Sequence, residues 1–129
     1  MLDTNIIISA GIFRGETAMA VEYISHNHTV VISSFALDEL WRVTARKFPN
    51  RRSVVEKFLR NLAFELAYTP SVINREEYPP IRDEKDYPIL ASAILADVDV
   101  LITGDRDFEN VDIERPEILT IVGFMERYA

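Results

Sequence analysis

Short, dense apolar runs alternate along this chain with longer stretches in which apolar residues recur every three or four positions. Leu2 to Ala10, Thr29 to Ser33, Val98 to Thr103 and Ile118 to Val122 are nearly all aliphatic or small, the pattern of strands covered on both faces in a parallel sheet. Glu16 to His28 carries Ala20, Val21 and Ile24 at helical spacing. Phe35 to Phe48 carries Leu37, Leu40, Trp41 and Thr44 on one stripe, and a following helix presents Val54, Val55, Phe58, Leu59 and Leu62. Ser33 or Ser34 is placed to cap the second of these helices. Ser53 with Glu56 fits a capping box for the third, with Asn50 competing as the cap. Gly11 to Gly15 reads as a turn and residues 65 to 69 as a short edge strand. Pro79-Pro80 closes a connector, after which Asp83 caps a helix running to Ala96 that tolerates Pro88 in its first turn. A terminal helix follows the fourth strand.

Strands alternating with helices predict an α/β fold, a central and mainly parallel sheet flanked by helices, in a single domain over residues 1–129. Hydrophobic residues make up 48% of the sequence, enough for a packed core. The absence of cysteine excludes disulfides, thiolate metal sites and thiol nucleophiles, and fits a reducing compartment. No apolar stretch approaches the roughly 18 residues of a membrane span, and no basic-then-apolar leader precedes the first strand. The expectation is a soluble, unexported, cytoplasmic protein with no membrane partner.

Charge changes the picture through its distribution. The net charge is −7, which by itself argues against a nucleic-acid partner. Residues 42 to 60, however, hold Arg42, Arg46, Lys47, Arg51, Arg52, Lys57 and Arg60 against the single acid Glu56, a local +6 that leaves −13 for the rest. A chain with its positive charge gathered in one helical region can bind phosphate there while an acidic site elsewhere binds metal.

Four acids stand beside the apolar runs: Asp3 at the first strand, Glu39 in the second main helix, Asp86 at a helix start and Asp105 directly after the third strand. In open parallel sheets ligands collect outside the carboxyl ends of the strands, where Asp105 belongs. Converging carboxylates repel, and without a cation at least one keeps its proton. A divalent ion lets all of them ionise, and oxygen-only donors favour Mg²⁺ or Mn²⁺ over zinc. Such an ion acidifies water and offsets charge on a phosphoryl oxygen, the chemistry of phosphodiester hydrolysis. Taken singly, each acid has an ordinary alternative: an Asx turn at Asp3, a solvated helix face at Glu39, helix-start acids at Asp83 and Asp86, and a plain turn at Asp105. His26 and His28 fall at a helix end, and Trp41 and the phenylalanines read as core rather than as base-stacking platforms.

The strings Leu2-Asp3-Thr4-Asn5, Asp83-Glu84-Lys85-Asp86 followed by Leu90-Ala91-Ser92-Ala93, and Ile102-Thr103-Gly104-Asp105-Arg106-Asp107-Phe108, with Glu39 between the first two, resemble the PIN domain family over the whole chain. The likeness is greatest to the toxin-type, VapC-like members of prokaryotic toxin–antitoxin pairs. The resemblance implies a Mg²⁺- or Mn²⁺-dependent endoribonuclease acting on RNA, often a homodimer, with a cognate antitoxin protein. It implies further that Asp3, Glu39, Asp86 and Asp105 form the acidic metal and catalytic site, that Asp107 is an additional acid, and that Asn5 and Thr103 orient the carboxylates, with Asp83 in a neighbouring acidic position. Arg42 and Arg46, three and seven residues beyond Glu39, and the adjacent Lys47 are the expected RNA-binding bases. Two departures stand out. The first strand lacks the few residues that usually precede this aspartate, which implies a late recorded start or a short sheet edge, and Pro88 lies two residues after Asp86. Two other readings compete: a PIN-like module that binds RNA or protein without cutting, and a carboxylate phosphatase. The second is disfavoured because Thr4, Asn5, Ile6 and Ile7 follow Asp3 where an Asp-x-Asp-x-Thr setting is needed.

Overall fold

The computed structural model describes residues 1–129. Two parallel pairs of strands make its sheet: β1 (Val30–Ser33) beside β2 (Phe64–Ala67), and β3 (Val100–Ile102) beside β4 (Glu117–Leu119). Met1 to Asp3 forms the seam between them. The Leu2 N–H donates to the Val31 carbonyl at 3.1 Å, the Asp3 N–H to Ile102 at 3.0 Å, and the Ile102 N–H to Met1 at 2.8 Å. Leu2 and Ile102 bridge in parallel, and the Leu2 bond to Val31 sets the stub against β1, so the order is β2, β1, the N-terminal stub, β3, β4, with each bridged pair parallel. The mixed α/β architecture with parallel strands is the one the alternation predicts.

Helices close over this sheet: α1 (Thr4–Ile8), α2 (Glu16–Asn27), α3 (Ser34–Lys47), α4 (Arg52–Asn61), α5 (Tyr87–Leu95) and α6 (Ile121–Tyr128). Most of α5 is buried, including Tyr87, Ile89, Leu90, Ala91 and Ala93, as expected of a helix that is apolar all round. No helix is long and apolar enough to cross a membrane. Leu2, Ile7, Val21, Ile32, Leu40 and Leu101 are among the most deeply buried side chains, each at most 2% exposed.

The first strand is the main correction. Leu2 to Ala10 is not a strand: pairing stops at Asp3, which caps α1, and Ser9–Phe13 continues as a π-helix rather than the turn expected from Gly11. Asp3 accepts a 2.7 Å hydrogen bond from the Thr4 N–H, and the apolar run that follows is buried as completely in a helix as it would be in a strand. The capping box at Ser53 does not form either. Pro49–Arg51 makes a turn of 3₁₀-helix that leads straight into α4, placing Ser53 inside the helix with no side-chain cap ahead of it. Ile121 and Val122 belong to α6, because Thr120 leaves the strand in extended conformation and accepts from the Gly123 N–H at 3.0 Å. Elsewhere the local chemistry acts as read: the Ser33 hydroxyl accepts from the Ala36 N–H to cap α3, residues 64 to 67 form the edge strand, and Pro88 sits in the first turn of α5.

Candidate metal centre

Because the strands are parallel, residues just beyond the carboxyl ends of the stub and β3 emerge at one edge. Asp3 ends the stub and Asp105 lies three residues past the end of β3. Helix α3, starting directly from β1, carries Glu39 toward the same edge, and Asp86 occupies the N-cap position of α5 without a side-chain capping bond. These four carboxylates, with Asn5 and Asp83, line one cleft of about 520 Å³, within the usual size of a ligand site. Arg46 and Lys47 line it from the last turn of α3. Arg42 does not, although the helical spacing placed it with Arg46.

Thr103 connects the two sheet-borne acids. Its hydroxyl donates to Asp3 Oδ2 at 2.7 Å and accepts from the Asp105 N–H at 3.1 Å. Asp105 in turn uses Oδ1 to accept from the Asp107 N–H at 2.9 Å, capping a 3₁₀ turn held down by buried Phe108. Of the two polar residues expected to orient the acids, Thr103 is bonded to a carboxylate, whereas Asn5 reaches the cleft as an exposed side chain. Asp83 caps the 3₁₀ turn before α5 by accepting from the Lys85 N–H at 3.0 Å.

The tightest grouping of acids is one the sequence reading underweighted. Carboxylate oxygens of Asp83, Asp86 and Asp107 all lie within 4.8 Å of one another. Asp83 and Asp86 are three residues apart on one turn, a spacing that brings side chains together. Asp107 also forms a 3.4 Å ion pair with exposed Arg82, so its charge is partly answered within the chain.

The electrostatics are those of crowded anions. Burial pushes the Asp86 carboxyl up to about 7, and the charges of Asp105, Asp107 and Asp83 add to the effect. Asp3 is also raised, by burial first, against the lowering effect of its hydrogen bonds from Thr103 and Thr4, with Glu39 and Asp105 raising it further. Asp86 Oδ2 is buried without a hydrogen-bond partner. A buried, unpartnered carboxylate oxygen is costly, and a hard cation is the group that fits it. An all-oxygen donor set suits Mg²⁺ or Mn²⁺.

The basic segment does not reach the cleft as a unit. Arg52 pairs with Glu56 at 3.1 Å and lies 5.0 Å over the Trp41 ring, and of the seven bases Arg46 and Lys47 line the acidic cleft. Phe13, expected in the core, is 64% exposed and lines the cleft together with half-buried Phe48. Its place at the end of an apolar run concealed it.

A parallel α/β sheet with acids from four separate segments gathered at its carboxyl edge defines a class of carboxylate-site proteins. The model for the PIN domain matches residues 1–107, and the chain belongs to that family. No curated protein matches the sequence significantly. Among solved structures, the chain is similar to one in the crystal structure of VapBC2 from Rickettsia felis bound to a DNA fragment from their promoter. The TM-score is 0.68 with 24% identity, over 92% of this chain and 95% of that one.

Proposed function

We propose that this PIN domain, a single unit over residues 1–129, is a metal-dependent endoribonuclease and the toxin of a toxin–antitoxin pair. The observation that carries the reading is the convergence of Asp3, Glu39, Asp86 and Asp105 on one cleft with an unpartnered carboxylate oxygen inside it. These four residues would hold Mg²⁺ or Mn²⁺, with Asp107 as a further acid. A bound divalent ion supplies acidification of water and compensation of charge on a phosphoryl oxygen. The chain's own residues do the rest. Thr103 fixes the Asp3 carboxylate and the start of the Asp105 turn, so the two acids keep one relative position. Arg46 and Lys47 at the cleft wall draw the phosphate backbone against an otherwise acidic surface. In this reading a water acidified by the ion is the attacking group, with no covalent enzyme intermediate.

The likeness to a chain of VapBC2 supports an antitoxin protein as partner. Exposed Leu66, Tyr68 and Leu95, around a small groove at the β2 edge, support self-association into a homodimer.

Purified protein incubated with RNA should cut it in Mn²⁺ or Mg²⁺, with activity lost on chelation and in Asp3→Asn or Asp105→Asn. Undiminished cleavage in both variants would eliminate this mechanism. Binding of RNA without any cutting under these conditions would leave the non-catalytic module as the better reading.

A further inference from the structure

We infer that Phe13 is a base-stacking platform at the mouth of the acidic cleft, so that the site selects unpaired RNA and holds one nucleotide of it by its base. The inference rests on the nuclease reading for the identity of the ligand and takes its evidence from a different part of the cleft.

Phe13 is 64% exposed and lines the acidic cleft together with its carboxylates and bases, so its open ring stands where a ligand of that cleft would lie. Phe13 is the last residue of the π-helix Ser9–Phe13, a rare element that recurs at functional sites. That segment is pinned from beneath. Ala10, Gly11 and Ile12 are buried, and Gly11 lies so close to α4 that a Cβ there would come within 3.1 Å of the Phe58 ring. Arg14 and Gly15, both at positive φ, then turn the chain away into α2. Phe13 is therefore held outward by the backbone on both sides.

Its one aromatic neighbour braces it without covering it. Phe13 and Phe48 meet edge to face, with ring centroids 5.4 Å apart and planes at 86°. Phe48 directly follows Arg46 and Lys47, so the last turn of α3 presents two cations and then the ring that supports Phe13. An open aromatic face, the cations Arg46, Lys47 and Lys85 and a set of metal-type acids in one cleft provide for the base, the phosphate and the scissile bond of a single nucleotide unit. Stacking needs a base whose face is free, which a duplex interior does not offer, and it is tolerant of base identity. Unpaired RNA is the substrate that uses all three parts.

The test uses the full chain and short unpaired oligoribonucleotides carrying 2-aminopurine at successive positions, whose fluorescence falls on stacking. Titration in Ca²⁺, and again in chelator, reads binding apart from cutting. Wild type should quench the probe at one position. Phe13→Ala should lose that quenching and bind roughly 5- to 150-fold more weakly, the range for removal of one stacked base. Phe13→Trp should retain both properties. Phe13→Leu, which keeps an apolar contact with Phe48, should keep the melting temperature yet lose the quenching. A fully paired RNA should be insensitive to all three changes. Equal affinity and equal quenching in wild type and Phe13→Ala, or no quenched position at all, overturns the inference and assigns the ring to a protein-facing surface. The two readings separate cleanly: Phe13-dependent quenching without cleavage in Mn²⁺ leaves stacking and removes the nuclease, whereas equal cleavage by wild type and Phe13→Ala does the reverse.

Discussion

Thr103 and Asp3, a hundred residues apart in sequence, are joined by a 2.7 Å hydrogen bond in which the threonine hydroxyl donates to a carboxylate that is 8% exposed. The same hydroxyl accepts from the Asp105 backbone. One side chain therefore sets two acids from different strands. Groups that orient metal ligands typically contribute 10- to 100-fold to affinity or activity when removed. Thr103→Val keeps the shape and deletes both bonds, and it should weaken Mn²⁺ binding by about that factor. It should also destabilise the metal-free protein by about 1–3 kcal/mol, because a buried acceptor loses its partner. Thr103→Ser should restore most of both. Calorimetric titration with Mn²⁺ and thermal melts of the three proteins decide the matter, and wild-type affinity in Thr103→Val would show that Asp3 does not depend on this bond.

Asp86 makes the metal-free protein sensitive to pH in a defined direction. An unfolded aspartate titrates near 3.8, while folded Asp86 keeps its proton to about 7 through burial and the neighbouring charges of Asp105, Asp107 and Asp83. Between those values the folded state binds more protons than the unfolded one, so this group's contribution falls as pH rises through the window. Melting temperatures in chelator should drop from pH 5 to pH 8, and Asp86→Asn should drop less. At pH 8, Mn²⁺ at a hundred times its dissociation constant should add about 2.7 kcal/mol to wild type, on the order of 10 °C, and far less to the variant. A pH profile identical in the two proteins would mean that the crowding at Asp86 has no energetic weight.

Arg46 and Lys47 face the cleft and Arg42 does not, although all three belong to one basic stretch. Their contributions to RNA affinity should differ accordingly. Each phosphate contact contributes a slope of nearly one to the dependence of log affinity on log salt. The double variant Arg46→Ala, Lys47→Ala should flatten that slope by roughly 1–2, while Arg42→Ala should leave it close to wild type. Anisotropy titrations of an unpaired RNA across several salt concentrations measure all three, and an equal effect from Arg42 would show that the backbone path runs along the outer face of α3 instead.

The alternation of later strands with helices, the acids beside them and the small caps at Ser33 and Asp83 were legible in the sequence because each depends on local chemistry: a β-branched run, a hydroxyl before a helix, a carboxylate two residues before an N–H. The first element was not. Leu2 to Ala10 is so uniformly apolar that it has no periodicity, and burial is satisfied equally by a strand and a helix. What decided it was Asp3, whose side chain caps α1 at the point where the stub leaves the sheet. The same capping that shortens the strand brings the carboxylate to the carboxyl edge, so the shortened first element and the placement of Asp3 have one cause. Phe13 escaped for a related reason, since nothing in an apolar run marks which residue faces out. The grouping of Asp83 with Asp86 and Asp107 joins a helix start to a loop about twenty residues later, a tertiary relation that no local spacing encodes.

Ser92 and Thr69 test whether the two helices bearing Glu39 and Asp86 are held together by a polar clasp. Their hydroxyls are 2.8 Å apart. Ser92 also donates to the Pro88 carbonyl within α5 at 2.6 Å, Thr69 Oγ1 accepts from the Phe35 N–H at 3.1 Å, and the Thr69 N–H donates to Ser34 Oγ at 2.9 Å. The end of β2 is thereby tied to the start of α3 on one side and to the first turns of α5 on the other. Thr69→Val removes the hydroxyl shared by both ties and leaves the Phe35 N–H without its partner, at an expected cost of about 1–3 kcal/mol. Ser92→Ala removes only the α5 side and should cost about 1 kcal/mol. Because the loss acts on the mutual placement of two ligand-bearing helices, cleavage per folded molecule should fall along with stability in Thr69→Val. Denaturant melts paired with cleavage rates at a fixed folded fraction separate the effects: stability lost at unchanged specific activity would reduce the clasp to a fold element with no bearing on the site.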